Sequence, residues 1–230
     1  MTLDAIAPPL DLAALVYFGL AIFIYRIFAA RRAESGGGLM GAIQHHRLNW
    51  MLNMAKREQR MLDAILLGSL SQGNAFFAST SAIAVGGLAA TLGSGEKLQA
   101  MLAHLPYASP TTPMILEAKQ LLIMGIFIYA FFKFAWAFRI SHYASIMIGA
   151  TPSYDQATST ACTQHAERTA RLIGVAAEHT NSGIRSFYHA IGAIAWFFHP
   201  VMFMLATTWV IVILARRDFF SRTLRLIRPS

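Results

Sequence analysis

Four long apolar runs constrain this chain more than any other feature. Residues 12–30, 65–93, 115–138 and 187–215 each provide the ~20 mostly apolar residues that a helix needs to cross about 30 Å of hydrocarbon. A backbone inside lipid must satisfy its own hydrogen bonds, which favours helices over open strands. The sequence therefore predicts an all-α fold, a polytopic membrane helical bundle with four transmembrane helices in a single domain over residues 1–230.

Composition agrees with this class. The chain is 56% hydrophobic and 13% charged, whereas soluble domains are ~25% charged. The net charge of +8 comes from Lys and Arg beside the apolar runs, which indicates anionic lipid headgroups and not nucleic acid as the partner. A lone cysteine, Cys162, excludes an internal disulfide framework. No Lys or Arg precedes Arg26, so a cleaved secretory signal is not expected.

Polar helical stretches separate the apolar runs. Residues 40–63 and 156–186 predict two cytoplasmic amphipathic helices, and 218–228 an amphipathic tail at the membrane surface. One continuous helix is expected from about Met40 to Gly93, since no Gly or Pro separates the first stretch from Ile65. A short external loop is expected from Glu96 to Pro113, with Thr112 capping the third span. Pro200 should kink the fourth.

Charge predicts the orientation. The acidic start of the first span and its basic exit at Arg26, Arg31 and Arg32 place the N-terminus outside the cell inner membrane. Four spans would then return the Arg-rich tail to the outside, against the preference of Arg for the cytoplasm. The cytoplasmic segments carry more Lys and Arg than the tail does, so the outside N-terminus is retained.

Small residues recur every three or four positions along the second span. Such a face lets helix backbones approach closely in lipid, so we predict that the other spans pack against it. Gly and Ala are also common in transmembrane helices generally, which is the alternative. The six residues are Ser71, Ala75, Ala78, Ala82, Gly86 and Ala90.

Polar residues deep in the spans are the candidate site. At 1.5 Å per residue, Asn74 and His199 lie about 16 and 18 Å from the cytoplasmic boundary, near the midplane. We expect them to share one polar cluster with Gln72 and Ser79; in the alternative, each bonds its own helix. Further candidate charged or interface residues are Lys133, Arg139, His142, Arg185 and His189.

Two features of the third span have alternative interpretations. Lys133 is either a buried functional charge or a side chain that extends to water at the membrane boundary. Phe127, Phe131, Phe134 and Phe138 form either a lipid-facing ridge or the wall of a partner interface. Neither HExxH, HxxxH nor CxxC spacing occurs, so no metal or cofactor is expected.

Three motifs carry a family resemblance: RISHYAS at 139–145, NSGIRSFYHA at 181–190 and WFFHP at 196–200. With these, most of the chain resembles the domain-of-unknown-function 599 family, multi-pass membrane proteins of bacteria and plants without an established activity. The resemblance implies the same span count and no substrate. An Arg often precedes the Asn of the family's second span; here Gly73 precedes Asn74, so any role of that Arg is absent.

The sequence leaves three functions open. The first is a non-catalytic membrane protein that works by assembly, as a homo-oligomer or as an accessory subunit of a membrane complex. The second is a small-solute or ion pathway formed between protomers. The third is a haem-binding redox protein that would use His142, His189 or His199. It ranks last because these histidines lie at different depths and no haem signature occurs.

Overall fold

The computed structural model describes residues 9–34, 37–103 and 112–227, and every regular element in these ranges is helical. Two short 3₁₀-helices, Tyr154–Gln156 and Ala195–Phe197, accompany the α-helices. The α-helices within the described ranges are α1 Pro9–Glu34, α2 Gly38–Ala55, α3 Met61–Thr91, α4 Gly95–Ala103, α5 Pro113–Gly149, α6 Thr160–Ile194, α7 Pro200–Phe219 and α8 Arg222–Ile227.

Four helical stretches of the described chain are long and apolar enough to cross a membrane: Pro9–Arg32, Met61–Thr91, Pro113–Gly149 and Pro200–Ile227. The predicted all-α membrane bundle is therefore confirmed. The first three stretches coincide with the predicted spans, although each is longer than expected. The fourth begins at Pro200 and not at Phe187, which is the first correction to the sequence analysis.

The expected continuous helix from Met40 to Gly93 is wrong. Helix α2 ends at Ala55, and α3 begins at Met61. The guanidinium of Arg60 donates to the carbonyl oxygens of Ala55 (3.1 Å), Thr151 (2.7 Å) and Pro152 (2.6 Å). Arg60 thus satisfies a carbonyl at the end of α2 and binds the segment after α5. A tertiary contact, and not a helix-breaking residue, accounts for the break.

Pro200 ends one helix and starts the next. Helix α6 continues past the predicted end at Ser186 to Ile194, and α7 begins at Pro200 itself. Proline is well tolerated at the first helical position, because the N–H that it lacks has no helical partner there. The expected kink is therefore a complete helix boundary, with the 3₁₀-helix Ala195–Phe197 between the two helices.

The predicted external loop is partly helical. Its first part forms α4, and residues 104–111 lie outside the described residues. The Thr112 hydroxyl oxygen accepts a hydrogen bond from the Ile115 backbone N–H at 3.4 Å, which confirms Thr112 as the N-cap of α5. Of the predicted amphipathic tail 218–228, residues 222–227 form the helix α8, residues 218–219 end α7, and residues 220–221 are not helical. Its last residue, 228, lies outside the description.

The chain divides into two compact units. The first unit comprises Met1–Arg31, Ser81–Ala130 and Ile184–Arg217; the second comprises Arg32–Thr80, Phe131–Gly183 and Asp218–Ser230. Helices α3, α5 and α6 each contribute to both units, so the single domain stays a prediction. The core of the first unit includes Ala14, Phe18, Ile123, Ala190, Ala193, Trp196 and Phe203. The core of the second includes Met51, Met54, Leu67, Ala144, Ile148, Ala166, Ala170 and Ile173.

Contacts within the first unit show that α6 runs antiparallel to α1. Arg185 stacks over the ring of Tyr25 near the end of α1, at 5.4 Å from its centroid. Four residues later, His189 contacts Phe18, at 6.2 Å between ring centroids. Trp196, just after α6, reaches the start of α1 near Asp11. The chain from Arg185 to Trp196 therefore returns along α1 to its first turn.

Helix α7 then reverses direction again. Gly192 of α6 lies beside Val210 of α7, and Arg217 stacks over Tyr188 at 5.7 Å, so the two helices form an antiparallel hairpin. Because α6 is antiparallel to α1, α7 runs in the direction of α1. The residues predicted as one span, 187–215, are therefore two antiparallel segments. Both are apolar, so hydropathy alone merged them.

Candidate functional site

A buried ion pair lies at the turn between α6 and α7, inside the first unit. Lys119 Nζ of α5 is 3.1 Å from Asp11 Oδ1 of α1, and the two side chains are 2% and 8% exposed. Lys119 Nζ also donates to the Trp196 carbonyl oxygen at 3.0 Å. The Trp196 indole N–H donates to the same Asp11 oxygen at 2.7 Å. Three separate segments are thus connected by charge-assisted hydrogen bonds.

Pro200 explains why the ion pair lies at this turn. In a continuous helix the Trp196 carbonyl would accept from the N–H of residue 200, which a proline lacks. The Lys119 ammonium supplies the missing donor. The carbonyl that Pro200 leaves without a helical donor is thus bonded by a side chain of another helix, α5.

Aromatic rings enclose the ion pair. The ring of Trp196 stacks on Phe203, at 4.9 Å between centroids and 13° between planes, and Phe203 contacts Phe18. Lys119 Nζ lies 5.3 Å from the centroid of the Trp196 ring, within the range of a cation–π interaction. Water is largely excluded, so the electrostatic attraction is weakly screened. The arrangement fixes the turn in place; it offers neither an activated nucleophile nor an open coordination position.

The four residues of the predicted polar cluster differ in burial and in hydrogen-bond partner. Asn74 is buried in the second unit, where its side-chain oxygen accepts from the Thr180 hydroxyl at 2.7 Å. His199 is half-buried, and its Nδ1 accepts from the Val201 backbone N–H at 3.1 Å. Gln72 and Ser79 are exposed. Neither of these two bonds joins Asn74 to His199, so a shared cluster stays a prediction.

Lys133 is half-buried on α5 in the second unit, near His179 of α6. Burial lowers the pKa of His179 from its ordinary value, and the charge on Lys133 lowers this pKa further. Lys133 therefore lies in an apolar run and also disfavours protonation of the neighbouring His179. Arg139 is exposed and donates to the Tyr143 hydroxyl at 2.9 Å, and His142 is exposed.

Arg185 and His189 lie on α6 in the first unit, in the contacts with Tyr25 and Phe18 described above. His189 is buried, whereas Arg185 is half-buried. Arg26 stacks over Tyr129 at 5.8 Å. With Arg217 over Tyr188, three arginine–tyrosine contacts thus connect α1, α5, α6 and α7 in the first unit.

Phe134 is neither a lipid-facing nor a partner-facing residue. Its side chain is 0% exposed and stacks on Phe77, at 5.1 Å between ring centroids. A Cβ added at Gly183 of α6 would lie 2.6 Å from the Phe134 ring, so only glycine fits beside it. Both interpretations of the Phe ridge are thus wrong for this residue, while Phe138 is exposed.

The small-residue face of α3 has two parts. Ser71, Ala75 and Ala78 are half-buried, whereas Ala82, Gly86 and Ala90 are exposed. A Cβ added at Gly86 would meet nothing within 4 Å in the described structure. In the apolar stretch of α3, only 11% of the residues are buried inside the protein, against 28% in the fourth spanning stretch. Other described helices of this chain therefore do not cover the second part of the face.

Comparison with known proteins supplies a family. Residues 13–223 match the family model described as "Protein of unknown function, DUF599", which covers nearly the whole chain. The chain belongs to the DUF599 family. The resemblance carried by the three sequence motifs is thereby confirmed. No curated protein and no solved structure matches the chain.

The DUF599 match assigns no role to any residue, so the site rests on geometry. Within the described ranges, no group of three His, Cys, Asp or Glu side chains is placed to hold a metal ion. Sequence reasoning missed the ion pair of Asp11 and Lys119, although two signals were available. Lys119 is a charge within an apolar span, and Pro200 leaves the Trp196 carbonyl without a helical donor.

Proposed function

We propose that this DUF599 protein is a non-catalytic, multi-pass protein of the cell inner membrane that works by assembly. Its partner is a second copy or another membrane subunit, and the contact runs along the Ala82, Gly86 and Ala90 part of α3. The observation that carries the proposal is the exposure of this face within the chain.

Helix association in lipid gains little from hydrophobicity, since lipid tails are as apolar as the helices. It depends on close van der Waals contact, and small residues permit that contact. Gly86 and Gly87 both leave open space where a side chain would lie. Ile83, 76% exposed, lies on the same stretch of helix and supplies apolar surface. A neighbouring helix could therefore approach the α3 backbone closely.

The proposed orientation has the N-terminus outside. In the first unit α7 runs in the direction of α1, so Arg216 and Arg217 come to the same end as Arg26 and Arg31. Clustered arginines favour the cytoplasmic side. With the N-terminus outside, the proposal places the tail that follows Arg217 in the cytoplasm, the side that its arginines favour.

Matched glycine substitutions test the assembly. Gly86→Leu and Gly125→Leu make the same chemical change on α3 and α5, and both glycines have open space around their Cα atoms. Native mass spectrometry in detergent should show an oligomer for the wild type and Gly125→Leu, and a smaller species for Gly86→Leu. A monomeric wild type, or equal dissociation of both variants, would contradict the proposal.

Cysteine labelling tests the orientation. Lys97 of α4 and Arg225 of α8 are exposed, and the native Cys162 is buried and replaceable by Ala. In intact spheroplasts a membrane-impermeant maleimide should label Lys97→Cys and leave Arg225→Cys unlabelled. The reverse pattern would invert the proposed orientation without affecting the assembly.

A further inference from the structure

A groove whose lining includes charged side chains lies between α2 and α6 in the second unit, separate from α3. It consists of two adjoining hollows of about 280 and 330 Å³ that share Gly41, Gln44 and Arg171. Arg47 and Glu178 line the first hollow, while His45 and Glu167 line the second. Each hollow thus carries both a guanidinium and a carboxylate, and we call the two together the α2–α6 groove.

Gln44 is fixed at the centre of the groove. Its amide nitrogen donates to the Ala170 carbonyl oxygen of α6 at 3.1 Å. Its amide oxygen accepts from Arg47 Nη1, also at 3.1 Å. A Cβ at Gly174 would collide with this amide, so the Gln44 side chain fits here because residue 174 is a glycine. The Arg47 guanidinium is therefore held in position by a side chain that is itself anchored.

The Arg47 guanidinium has unused hydrogen-bonding capacity. Of its five N–H donors, the described structure assigns a protein acceptor to the one that bonds Gln44. The group is half-buried, and burial lowers its pKa from the ordinary value, partly offset by the Glu178 carboxylate. A partly desolvated guanidinium gains more from an oxyanion than an exposed one does, since water competes less.

Arg47 and Glu178 carry opposite charges and line the first hollow without forming an ion pair. Among the described residues no ion pair within 4.0 Å joins Arg47 to Glu178, although both line the same hollow. Arg171 pairs with Glu167 at 3.7 Å in an exposed pair, which is worth about 0–1 kcal/mol and is easily exchanged. A gap between the anchored Arg47 guanidinium and the exposed Glu178 carboxylate suits a ligand that carries both charges itself.

We propose that the α2–α6 groove binds a small zwitterion with a phosphate group and a primary ammonium, such as an aminoalkyl phosphate. The phosphate takes the free donors of Arg47 and the guanidinium of Arg171 in bidentate fashion. The ammonium lies against Glu178. This chemistry is available from free phosphoethanolamine and from the headgroup of phosphatidylethanolamine, and the experiment separates the two sources.

Isothermal titration of the full chain in lipid-free detergent tests the proposal with phosphoethanolamine, inorganic phosphate and ethanolamine. Phosphoethanolamine should bind at least about tenfold more tightly than either half alone, since each charge contributes a charge-assisted hydrogen bond. Arg47→Gln should weaken phosphoethanolamine binding about ten- to a hundredfold. The matched control Arg168→Gln, on an exposed position of α6 outside the groove, should bind as the wild type does.

Glu178→Gln provides an independent test, because Glu178 is exposed and its loss does not endanger folding. It should reduce phosphoethanolamine binding to the level of phosphate and leave phosphate binding unchanged. Equal affinity of the wild type for phosphate and phosphoethanolamine, or equal weakening by Arg47→Gln and Arg168→Gln, would overturn the proposal. In nanodiscs, weaker phosphoethanolamine binding with phosphatidylethanolamine than with phosphatidylcholine identifies the headgroup as the source; equal binding identifies the free molecule.

Discussion

Removing Lys119 should destabilise the first unit more than removing any exposed lysine. In Lys119→Met the Asp11 carboxylate stays buried, and among the described residues it keeps one donor, the Trp196 indole N–H. Breaking one side of a buried ion pair costs about 3–5 kcal/mol, because an uncompensated charge remains. The Trp196 carbonyl also loses its donor, a loss of about 1–3 kcal/mol when no water replaces it. Together the two losses amount to about 4–8 kcal/mol.

A double-mutant cycle separates the charge from the rest of the site. Asp11→Leu with Lys119→Met removes both charges and leaves two unpaired polar groups, both of Trp196. The double variant should therefore be more stable than Lys119→Met alone, and the two single losses should be non-additive.

Unfolding by sodium dodecyl sulfate in mixed micelles, followed by circular dichroism, measures each free energy. Lys97→Met, at an exposed position on α4, is the matched control and should change stability by less than about 0.5 kcal/mol. The reasoning fails if Lys119→Met behaves like this control, or if the double variant loses the sum of the two single losses.

Three further predictions use the same assay. Gly183→Ala should cost about 1–3 kcal/mol by overpacking, whereas Gly192→Ala, with 3.4 Å to its nearest neighbour, should be tolerated; equal effects would contradict the packing described. Burial lowers the pKa of His179 below its ordinary 6.5, so the unfolded chain binds more protons and stability should decrease as the pH falls below about 6.5. His179→Gln should flatten this part of the stability–pH profile. An unchanged profile would show that other groups cause the loss of stability at low pH. Arg60→Met should release the end of α2 and increase amide hydrogen exchange at Thr151, while unchanged exchange there would show that the bonds of Arg60 are dispensable.

The fold class was predictable because its signals are local. Twenty apolar residues in succession specify a spanning helix wherever they occur, and Thr112 before Pro113 specifies a helix start. The boundary at Pro200 was ambiguous for the same reason, since a proline both kinks a helix and begins one. The choice between these outcomes depends on a donor from α5, the Lys119 ammonium, which no local window contains.

The candidate site was predictable only in part. Asn74 is buried as expected for a polar residue deep in a span, but its partner Thr180 lies in a stretch interpreted as a cytoplasmic helix. The break between α2 and α3 depends on Arg60 and on carbonyls 91 and 92 residues further along the chain. Such distant pairings follow from tertiary packing, for which a single sequence carries little signal.

The Asp11–Trp196 bond has a consequence for biosynthesis. The two residues are separated by 185 positions, so at ~5–20 residues per second about 10–40 s pass between their synthesis. During that interval Asp11 enters the membrane without the indole donor, and until α5 is made it also lacks the Lys119 ammonium. A nascent chain arrested before residue 119 therefore carries an uncompensated carboxylate at the start of α1. That charge distinguishes incomplete chains, in which it has no partner, from complete chains, in which Lys119 and Trp196 bind it.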